Sequence, residues 1–254
     1  MFVDVHAHLI DEVFQNSKDV LDRANFFGVE KIICASSNIE TSKKSVELAN
    51  CSEGVFATVG IHPEDACEFD DNSLKELEIL CKNKKVVAIG EIGLDYHYEN
   101  CDKEQQKDVF LKQIVLADKM SLPIQIHCRD AMEDTMKILK SHKELLKCRG
   151  IFHCYSGSIE EAKEILKLGF SFSFGGVCTF KNARRLPEVI SFLPIENVLL
   201  ETDCPYLAPE PHRGETNEPK YIPIIAEKIA EIKNMTLEEV ARATTKNAKR
   251  IFHI

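Results

Sequence analysis

Residues 2–10 read Phe-Val-Asp-Val-His-Ala-His-Leu-Ile, a short apolar run interrupted by Asp4, His6 and His8. Successive side chains of a β-strand alternate between its two faces, so His6 and His8 share one face while Ala7 lies on the other. Two imidazoles in this arrangement can grip one metal ion from the same side. A doubly wound open sheet would normally carry a glycine-rich phosphate loop after its first strand, and this stretch has none. The open sheet is therefore the alternative to a closed barrel.

Short apolar, β-branched runs recur along the chain and predict eight strands. We place these strands at 2–8, 31–36, 55–60, 86–93, 123–128, 150–154, 171–175 and 198–203. Segments with helical spacing lie between and after them, at 17–27, 41–49, 73–81, 103–119, 131–140, 159–168, 184–192, 221–234 and 237–251. Two helix starts carry a Ser/Thr-x-x-Glu capping box, formed by Ser158 with Glu161 and by Thr236 with Glu239.

The alternation of strands and helices is typical of parallel βαβ units, and eight such units close most naturally into a barrel. We therefore predict an α/β fold, a single (β/α)₈ TIM barrel with an eight-stranded parallel barrel and outer helices. A chain of 254 residues with 44% hydrophobic residues can bury one core of this size. We expect one domain over residues 1–254.

The composition also limits the partners of the protein. The 41 acidic residues exceed the 32 basic ones and give a net charge of −9, which disfavours a long non-specific track along a polyanion. Any nucleic acid should therefore be held locally, as at a strand end. Ten scattered cysteines without a CxxC pair or an export signal indicate reduced thiols and a cytoplasmic protein. No apolar stretch approaches the roughly 20 residues of a membrane helix, so we expect no membrane partner. We also expect the protein to be a monomer.

Polar residues stand at the carboxyl ends of five predicted strands, where buried parallel strands should be apolar. They are His6, His8, Glu91, His127, His153 and Asp203. In barrels the carboxyl ends of the strands ring a common axis and carry the catalytic groups. A single histidine is more often an ordinary core or surface residue, but six such side chains buried without partners would each be costly. The pattern indicates a metal site.

The types of these residues suggest which metals bind. Imidazole and carboxylate without thiolate suit Zn²⁺, Mn²⁺, Fe²⁺, Co²⁺ or Ni²⁺, and a carboxylate-rich site with waters also tolerates Mg²⁺. Six ligands exceed the four that one tetrahedral ion takes. We therefore expect two divalent metal ions, such as Mg²⁺, Mn²⁺ or Zn²⁺, roughly 3.5–4 Å apart and sharing a bridging carboxylate.

Seven stretches of the chain, taken in order, resemble the TatD family of metal-dependent deoxyribonucleases, within the amidohydrolase-like barrel superfamily. They are DVHAH (4–8), GIHP (60–63), GEIGLDY (90–96), IHCRDA (126–131), FHCYSG (152–157), ETDCPYL (201–207) and the segment from Arg213-Gly214 to Asn217-Glu218-Pro219. The resemblance covers essentially the whole chain. Related barrels of the phosphotriesterase and dihydroorotase types typically have a carboxylated lysine at the strand end where this chain has Glu91, so the glutamate resembles TatD.

The resemblance implies hydrolysis of phosphodiester bonds in DNA, usually from the 3′ end of single strands, with a role in DNA repair. It assigns His6, His8 and Asp203 to one metal and His127 and His153 to the second, with Glu91 as the bridge. A water activated by the two ions would attack phosphorus, and Asp203 would accept its proton. Asp203 and Glu91 are thus the expected catalytic residues.

Further polar residues follow the predicted strands at the same end of the barrel. Five of them could bind phosphate oxygens or a terminal nucleotide: His62, Arg129, Tyr155, Arg213 and Asn217. Arg129 could instead pair with Asp130 or Glu133, and His62 could be a turn residue before Pro63.

Alternation along the strands makes predictions for four more side chains. Asp4 and Glu201 share a face with the ligands His6 and Asp203 and should support the metal-binding histidines. Cys128 and Cys154 should point away from the metals and serve as packing residues.

Two other functions fit the same residues. The first is an amidohydrolase-like enzyme that acts on a small cyclic amide, ester or phosphoester, because the shape of the pocket decides the substrate and cannot be read from the sequence. The second is a binding or regulatory protein that keeps the barrel without its chemistry. Degenerate relatives usually lose a ligand, however, and none is missing here.

Overall fold

The computed structural model describes residues 1–98 and 101–254. Eight parallel strands pair in chain order from β1 to β8. The strands are β1 (Phe2–Ala7), β2 (Val29–Cys34), β3 (Val55–Val59), β4 (Val86–Asp95), β5 (Ile124–Arg129), β6 (Gly150–Phe152), β7 (Ser171–Phe174) and β8 (Val198–Leu200). Backbone hydrogen bonds from His8 to the Cys204 carbonyl (2.8 Å) and from Asp203 to the His6 carbonyl (2.9 Å) join the first strand to the segment after the last. The predicted (β/α)₈ barrel fold is confirmed.

Helices follow the strands and pack around the barrel. They are α1 (Ser17–Phe26), α2 (Ile39–Cys51), α3 (Asp71–Leu80), α4 (Lys103–Met120), α5 (Met132–Ser141), α6 (Ile159–Lys167), α7 (Leu186–Phe192), α8 (Ile222–Lys233) and α9 (Leu237–Phe252). Short 3₁₀ turns lie at Pro63–Glu68, Lys143–Leu145, Gly176–Thr179, Ile195–Asn197 and Pro219–Tyr221. Both predicted capping boxes are present, one at the start of α6 and one at the start of α9.

The largest apolar cluster joins the strands to the surrounding helices. It includes Ile32 and Val59 of the barrel, Phe110 of α4, Ile165 of α6 and Ile225 of α8, each less than 5% exposed. Apolar area removed from water stabilises a fold by about 25 cal/mol per Å². The helices therefore hold the barrel in place and leave its carboxyl-end loops free to carry the site.

Two strands end earlier than the sequence suggests. Strands β6 and β8 stop at Phe152 and Leu200, so the predicted ends at residues 154 and 203 were wrong. The backbone of Cys154 has φ 42° and that of Asp203 has φ 58°, a left-handed conformation that no strand accommodates. The ligands His153 and Asp203 therefore lie on loops that leave the barrel.

Within residues 1–98 and 101–254, no helix combines the length and the apolar character needed to cross a membrane. The ten cysteines all lie in this described part, and each is a free thiol.

Strand β4 passes very close to β5 at Gly93, next to the site. Gly93 has φ 148°, and a Cβ atom added there would lie 1.9 Å from the His127 carbonyl oxygen. We expect Gly93→Ala to lower the free energy of unfolding by about 3 kcal/mol, because both the φ angle and the collision oppose the added methyl group. Urea unfolding of the metal-free protein, followed by circular dichroism, measures the loss.

Gly28→Ala is the matched control. Gly28 also has positive φ (81°), but its added Cβ would meet only Phe2, at 3.9 Å. This variant should lose about 1 kcal/mol from backbone strain alone. Equal losses in the two variants would show that the close approach of β4 to β5 contributes nothing.

Candidate metal centre

The six side chains predicted as ligands come together at the carboxyl end of the barrel. They form two groups of donor atoms, each within 4.8 Å of one another. The first cluster consists of His6, His8 and Asp203, and the second cluster consists of Glu91, His127 and His153. Strands β1, β4 and β5 and the loops after β6 and β8 supply these residues. The site is thus assembled from five separate segments.

Donor atoms of the first cluster have the spacing of ligands around one cation. His6 Nε2 lies 3.3 Å from His8 Nε2, and His8 Nε2 lies 3.4 Å from Asp203 Oδ1. The remaining pair, His6 Nε2 and Asp203 Oδ1, is 3.7 Å apart. Ligand bonds of 2.0–2.1 Å in a tetrahedral zinc site place neighbouring donors about 3.3 Å apart. The three side chains therefore fit one divalent ion without rearrangement.

Glu91 lies between the two clusters and faces both. Its Oε1 is 2.7 Å from His127 Nδ1 and 2.8 Å from His153 Nε2, while its Oε2 is 3.2 Å from His6 Nε2. The two imidazole nitrogens of the second cluster are 3.3 Å apart. One carboxylate oxygen is thus directed to each cluster, which is the geometry of a carboxylate that bridges two ions.

Gln125, which the sequence analysis did not single out, fixes the orientation of His6. Its Nε2 donates to the Val5 carbonyl (2.7 Å), so its Oε1 is the atom that faces His6 Nδ1 at 2.9 Å. His6 therefore carries a proton on Nδ1, and Nε2 is the nitrogen that faces the first cluster and would bind a metal once its own proton is lost. A signal was present in the sequence, because Gln125 is a polar residue in a buried strand, two positions before His127.

Asp95 has the corresponding role in the second cluster. Its Oδ2 accepts a hydrogen bond from His127 Nε2 (2.8 Å), which directs His127 Nδ1 toward Glu91. Carboxylates commonly hold metal-binding imidazoles in this way. Asp95 belongs to the GLDY part of the third quoted stretch and shares a strand face with Glu91. The alternation along β4 could have identified it.

The support expected from Asp4 and Glu201 takes a different form. The Asp4 carboxylate accepts hydrogen bonds from the backbone N–H of Thr202 (3.0 Å) and of His6 (3.2 Å), so it holds the backbone and not an imidazole. Glu201 accepts from the backbone N–H of Cys154 (2.7 Å) and lies 3.9 Å from His153 Nδ1, beyond hydrogen-bond distance. Asp4 thus supports His6 through its backbone, and Glu201 lies at ion-pair distance from His153 without a hydrogen bond to its ring.

Both cysteines line a cavity beside the clusters. Cys128 Sγ also lies 3.4 Å from the Thr135 hydroxyl of α5, so this side chain packs against the helix as expected. Cys154 follows the end of β6 at Phe152, so the alternation along a strand does not apply to it.

Buried carboxylates set the protonation of two histidines. Burial alone would lower the pKa of His6, but the carboxylates of Glu91 and Asp203 raise it to about 10. Burial would likewise lower the pKa of His127, whereas hydrogen bonds to Asp95 and Glu91 raise it to about 9. Both imidazoles are therefore cationic at neutral pH when no metal is bound.

The neighbours of these cations shift in the opposite direction. Burial, together with the charge of His6, lowers the pKa of His153 to about 4. Burial would raise the pKa of Glu91, but the imidazoles of His153, His62 and His6 hold it well below its usual value. His153 is thus neutral and ready to bind a metal, and Glu91 is ionised.

Two of the predicted substrate contacts, His62 and Arg129, lie beside the clusters. His62 Nε2 is 3.4 Å from Glu91 Oε1, and its Nδ1 also accepts from the backbone N–H of Glu64 at the start of a 3₁₀ turn. Arg129 lines the cavity with its guanidinium 5.1 Å from the centre of the Tyr98 ring. Within the described residues it forms no ion pair with a carboxylate, so its charge is available to a ligand.

The other three predicted contacts are placed differently. Tyr155 is buried in the cavity wall and its hydroxyl donates to the Ser158 carbonyl (2.7 Å). Asn217 is fully buried and its amide donates to the Thr202 and Tyr206 carbonyls, so it holds the loop that carries Asp203 instead of reaching the cavity. Arg213 is exposed, outside the cavity wall.

A cavity of about 310 Å³ opens beside the clusters. Four of the predicted metal ligands line it, namely Glu91, His127, His153 and Asp203, and Arg129 lines it as well. Apolar side chains also belong to the lining: Phe174, Val177, Leu186 and Leu207. The cavity therefore combines a cation beside the predicted metal ligands, where an anion can bind, with an apolar surface.

Comparison with known proteins identifies relatives with the same overall length. A family model described as TatD related DNase matches residues 3–253. The chain is 45% identical to the uncharacterized metal-dependent hydrolase YabD of Bacillus subtilis over 100% of both chains. It is 35% identical to the uncharacterized metal-dependent hydrolase YcfH of Escherichia coli, over 99% of this chain and 96% of that one. The crystal structure of YJJV, a TatD homolog from Escherichia coli, superposes with a TM-score of 0.95 at 30% identity, covering 100% and 98% of the two chains.

Metal binding should release protons. Because His6 and His127 are protonated in the metal-free protein and a metal needs their lone pairs, we expect about two protons to leave per protein at pH 7. Metal affinity should therefore fall as the pH is lowered. Calorimetric titration with Zn²⁺ or Mn²⁺ in two buffers of different ionisation enthalpy gives the number of protons. A heat that is the same in both buffers would contradict the protonated histidines.

Removal of the Gln125 amide should weaken metal binding. Without it, His6 Nδ1 loses its acceptor and the ring can turn or change tautomer, so we expect Gln125→Leu to lower metal affinity by about 10- to 100-fold. Gln113→Leu is the matched control, because Gln113 is equally buried but bonds only to the backbone of Ile61. Both variants should be less stable. Equal metal affinities in the two would refute the orienting role of Gln125.

Proposed function

Because the chain belongs to the TatD family of metal-dependent hydrolases, we propose that it hydrolyses phosphodiester bonds in DNA and removes nucleotides from the 3′ ends of single strands. One observation carries the proposal. Glu91 presents one carboxylate oxygen to each of two donor clusters, beside a cavity lined by Arg129, which forms no ion pair within residues 1–98 and 101–254. Two ions held in this way suit an in-line displacement at phosphorus, since they stabilise both the attacking and the leaving oxygen.

The donor set fits two divalent cations. The spacing of about 3.3 Å between the nitrogens within each cluster and the absence of thiolate ligands suit Zn²⁺, Mn²⁺ or Mg²⁺. His6, His8 and Asp203 would hold one ion, His127 and His153 the other, and Glu91 both. When bound, the two ions would supply Lewis acidity that makes a water molecule more acidic and polarises the phosphoryl oxygens.

Asp203 is the proton acceptor in this proposal. Its carboxylate lines the cavity, where it can reach a water molecule beside the scissile phosphate. Burial would raise the pKa of Asp203, but its hydrogen bond with His8 and the charge of His6 lower it. The carboxylate is therefore ionised at neutral pH and able to take a proton.

Arg129 and the apolar lining would position the substrate. A guanidinium without a carboxylate partner can bind phosphate oxygens with two parallel hydrogen bonds. Phe174, Val177 and Leu186, which line the same cavity, would cover the sugar or base of a terminal nucleotide and exclude water from it. An enzyme of this kind would act in the cytoplasm on strand ends that arise during DNA repair or breakdown.

Replacement of the acceptor tests the chemistry. We expect Asp203→Asn to lower the turnover of a labelled single strand by about 100-fold or more, because the amide cannot take the proton of the attacking water. Product release is followed on gels with Mg²⁺ or Mn²⁺, with and without a chelator, on strands blocked at the 3′ or the 5′ end. The 3′-blocked strand should resist cleavage.

Asp22→Asn controls for the loss of one carboxylate. Asp22 is an exposed residue of α1, and this variant should keep wild-type turnover and wild-type unfolding. Near-wild-type activity of Asp203→Asn would refute the role of the acceptor. A wild-type protein that cleaves a cyclic amide or carboxylic ester but no DNA strand would refute the proposed substrate.

A further inference from the structure

Four cations lie on two loops that also supply lining residues of the cavity. Lys181, Arg184 and Arg185 belong to the loop between the 3₁₀ turn Gly176–Thr179 and α7, and Arg213 belongs to the loop after β8. The Arg213 guanidinium stacks 4.4 Å from the centre of the Phe180 ring, so the two loops meet there. A hydrogen bond from the backbone N–H of Glu210 to the Thr179 hydroxyl (2.9 Å) also joins them. We call these four residues the cationic rim.

The cationic rim has no internal charge partner. Among residues 1–98 and 101–254, no ion pair involves any of its four members, and all four are exposed. Glu188 on α7 and Glu215 after Arg213 are the nearest carboxylates along the chain. Glu188 forms no ion pair with the rim, and Glu215 contacts His212 (3.1 Å) and Tyr221 (3.3 Å). In a protein with a net charge of −9, this is a local excess of positive charge.

Stacking leaves Arg213 able to bind an anion. A guanidinium held over an aromatic ring can keep its N–H donors directed outward, where they match two phosphate oxygens. The stem of the side chain is held by the ring, so less conformational freedom is lost on binding. Phe180 thus prepares Arg213 for a phosphate contact.

The cationic rim borders the catalytic cavity. Val177, Cys178 and Leu186 line this cavity and come from the same segment as the first three rim residues, with Leu186 directly after Arg185. Glu91, His127, His153 and Asp203 of the two clusters line the same cavity. A strand whose terminal nucleotide occupied the cavity would therefore pass its next phosphates along the rim.

We propose that the cationic rim is a binding track for the phosphates of a single-stranded polynucleotide that leads into the metal centre. The enzyme would then act on a strand several nucleotides long in preference to a mononucleotide or a small phosphoester. This inference rests on the proposed phosphodiester hydrolysis and names the substrate class of the same site. Arg129 contacts the phosphate at the metals, and the rim contacts those further along the strand.

The test compares a long and a short substrate in the full-length protein. The variant Lys181→Gln/Arg184→Gln/Arg185→Gln is assayed with a labelled oligothymidylate and with bis(4-nitrophenyl) phosphate, a small chromogenic diester. We expect the ratio of the two kcat/KM values, oligonucleotide over small diester, to fall about tenfold, through a higher KM for the oligonucleotide. The slope of log affinity for the oligonucleotide against log salt should fall by about 2, since each phosphate contact on a single strand contributes about 0.7.

Two further variants separate charge from structure. Lys82→Gln/Lys84→Gln/Lys246→Gln removes three unpaired, exposed cations at the opposite end of the barrel, two of them before β4 and one beside Met1. It should leave the ratio and the salt slope unchanged. The charge-preserving Lys181→Arg/Arg184→Lys/Arg185→Lys should retain most of the wild-type ratio.

The outcomes distinguish this inference from the proposed function. If the wild-type protein cleaves both substrates and the rim variant keeps the wild-type ratio, the track is refuted while hydrolysis stands. If the wild-type protein cleaves neither substrate, the proposed function fails. Binding of the labelled oligothymidylate, measured by fluorescence anisotropy with chelator present, then tests the track independently of hydrolysis. Loss of binding only in the rim variant would support it, and equal binding in all variants would overturn it.

Discussion

Glu91 is buried, and its two carboxylate oxygens face two groups of imidazoles. These contacts hold the site together. An ionised carboxylate with 4% exposure is stable only when positive charge surrounds it closely. In the metal-free protein the protonated His6 and His127 supply that charge, and in the loaded protein metal ions would replace their protons. The same geometry therefore suits both states. A site built in this way needs no large rearrangement to accept its ions.

Neutralising the charge of Glu91 would not by itself orient the imidazole rings of the histidines. The surrounding hydrogen bonds set that orientation. Gln125 Oε1 accepts a hydrogen bond from His6 Nδ1–H and Asp95 Oδ2 accepts one from His127 Nε2–H, which leaves the other nitrogen of each ring directed to the clusters. Both supporting residues lie on strands of the barrel, β5 and β4. Asp203 instead lies on a loop, and buried Asn217 fixes that loop through the carbonyls on either side of it. Rigid strands position most of the site, and one buried amide extends this rigidity to the loop.

The sequence predicted more of the ligands than of their surroundings, for a physical reason. Strand ends in a barrel share one mouth, so the types and positions of His6, Glu91 and His127 were enough to bring them together. Hydrogen bonds such as that between Gln125 and His6 join residues more than 100 positions apart and depend on side-chain direction, which alternation gives only as a face. Alternation also does not apply at Cys154, where positive φ ends the strand. Burial removed Asn217 from the cavity for a similar reason, since no local pattern distinguishes a loop residue that faces inward.

The net charge of −9 and a polyanionic substrate are compatible because electrostatic interactions act over short distances in salt solution. At physiological ionic strength the Debye length is about 8 Å, so acidic residues on the far side of the barrel contribute little at its mouth. What a strand would meet there is set by Arg129, by the proposed metal ions and by the cationic rim. Repulsion from the rest of the surface would then oppose binding everywhere except at this mouth. An acidic protein with one cationic rim would therefore bind a strand at that rim in preference to binding it non-specifically over its surface. Such local binding fits the proposed enzyme, which would have to release its product and bind a new strand end.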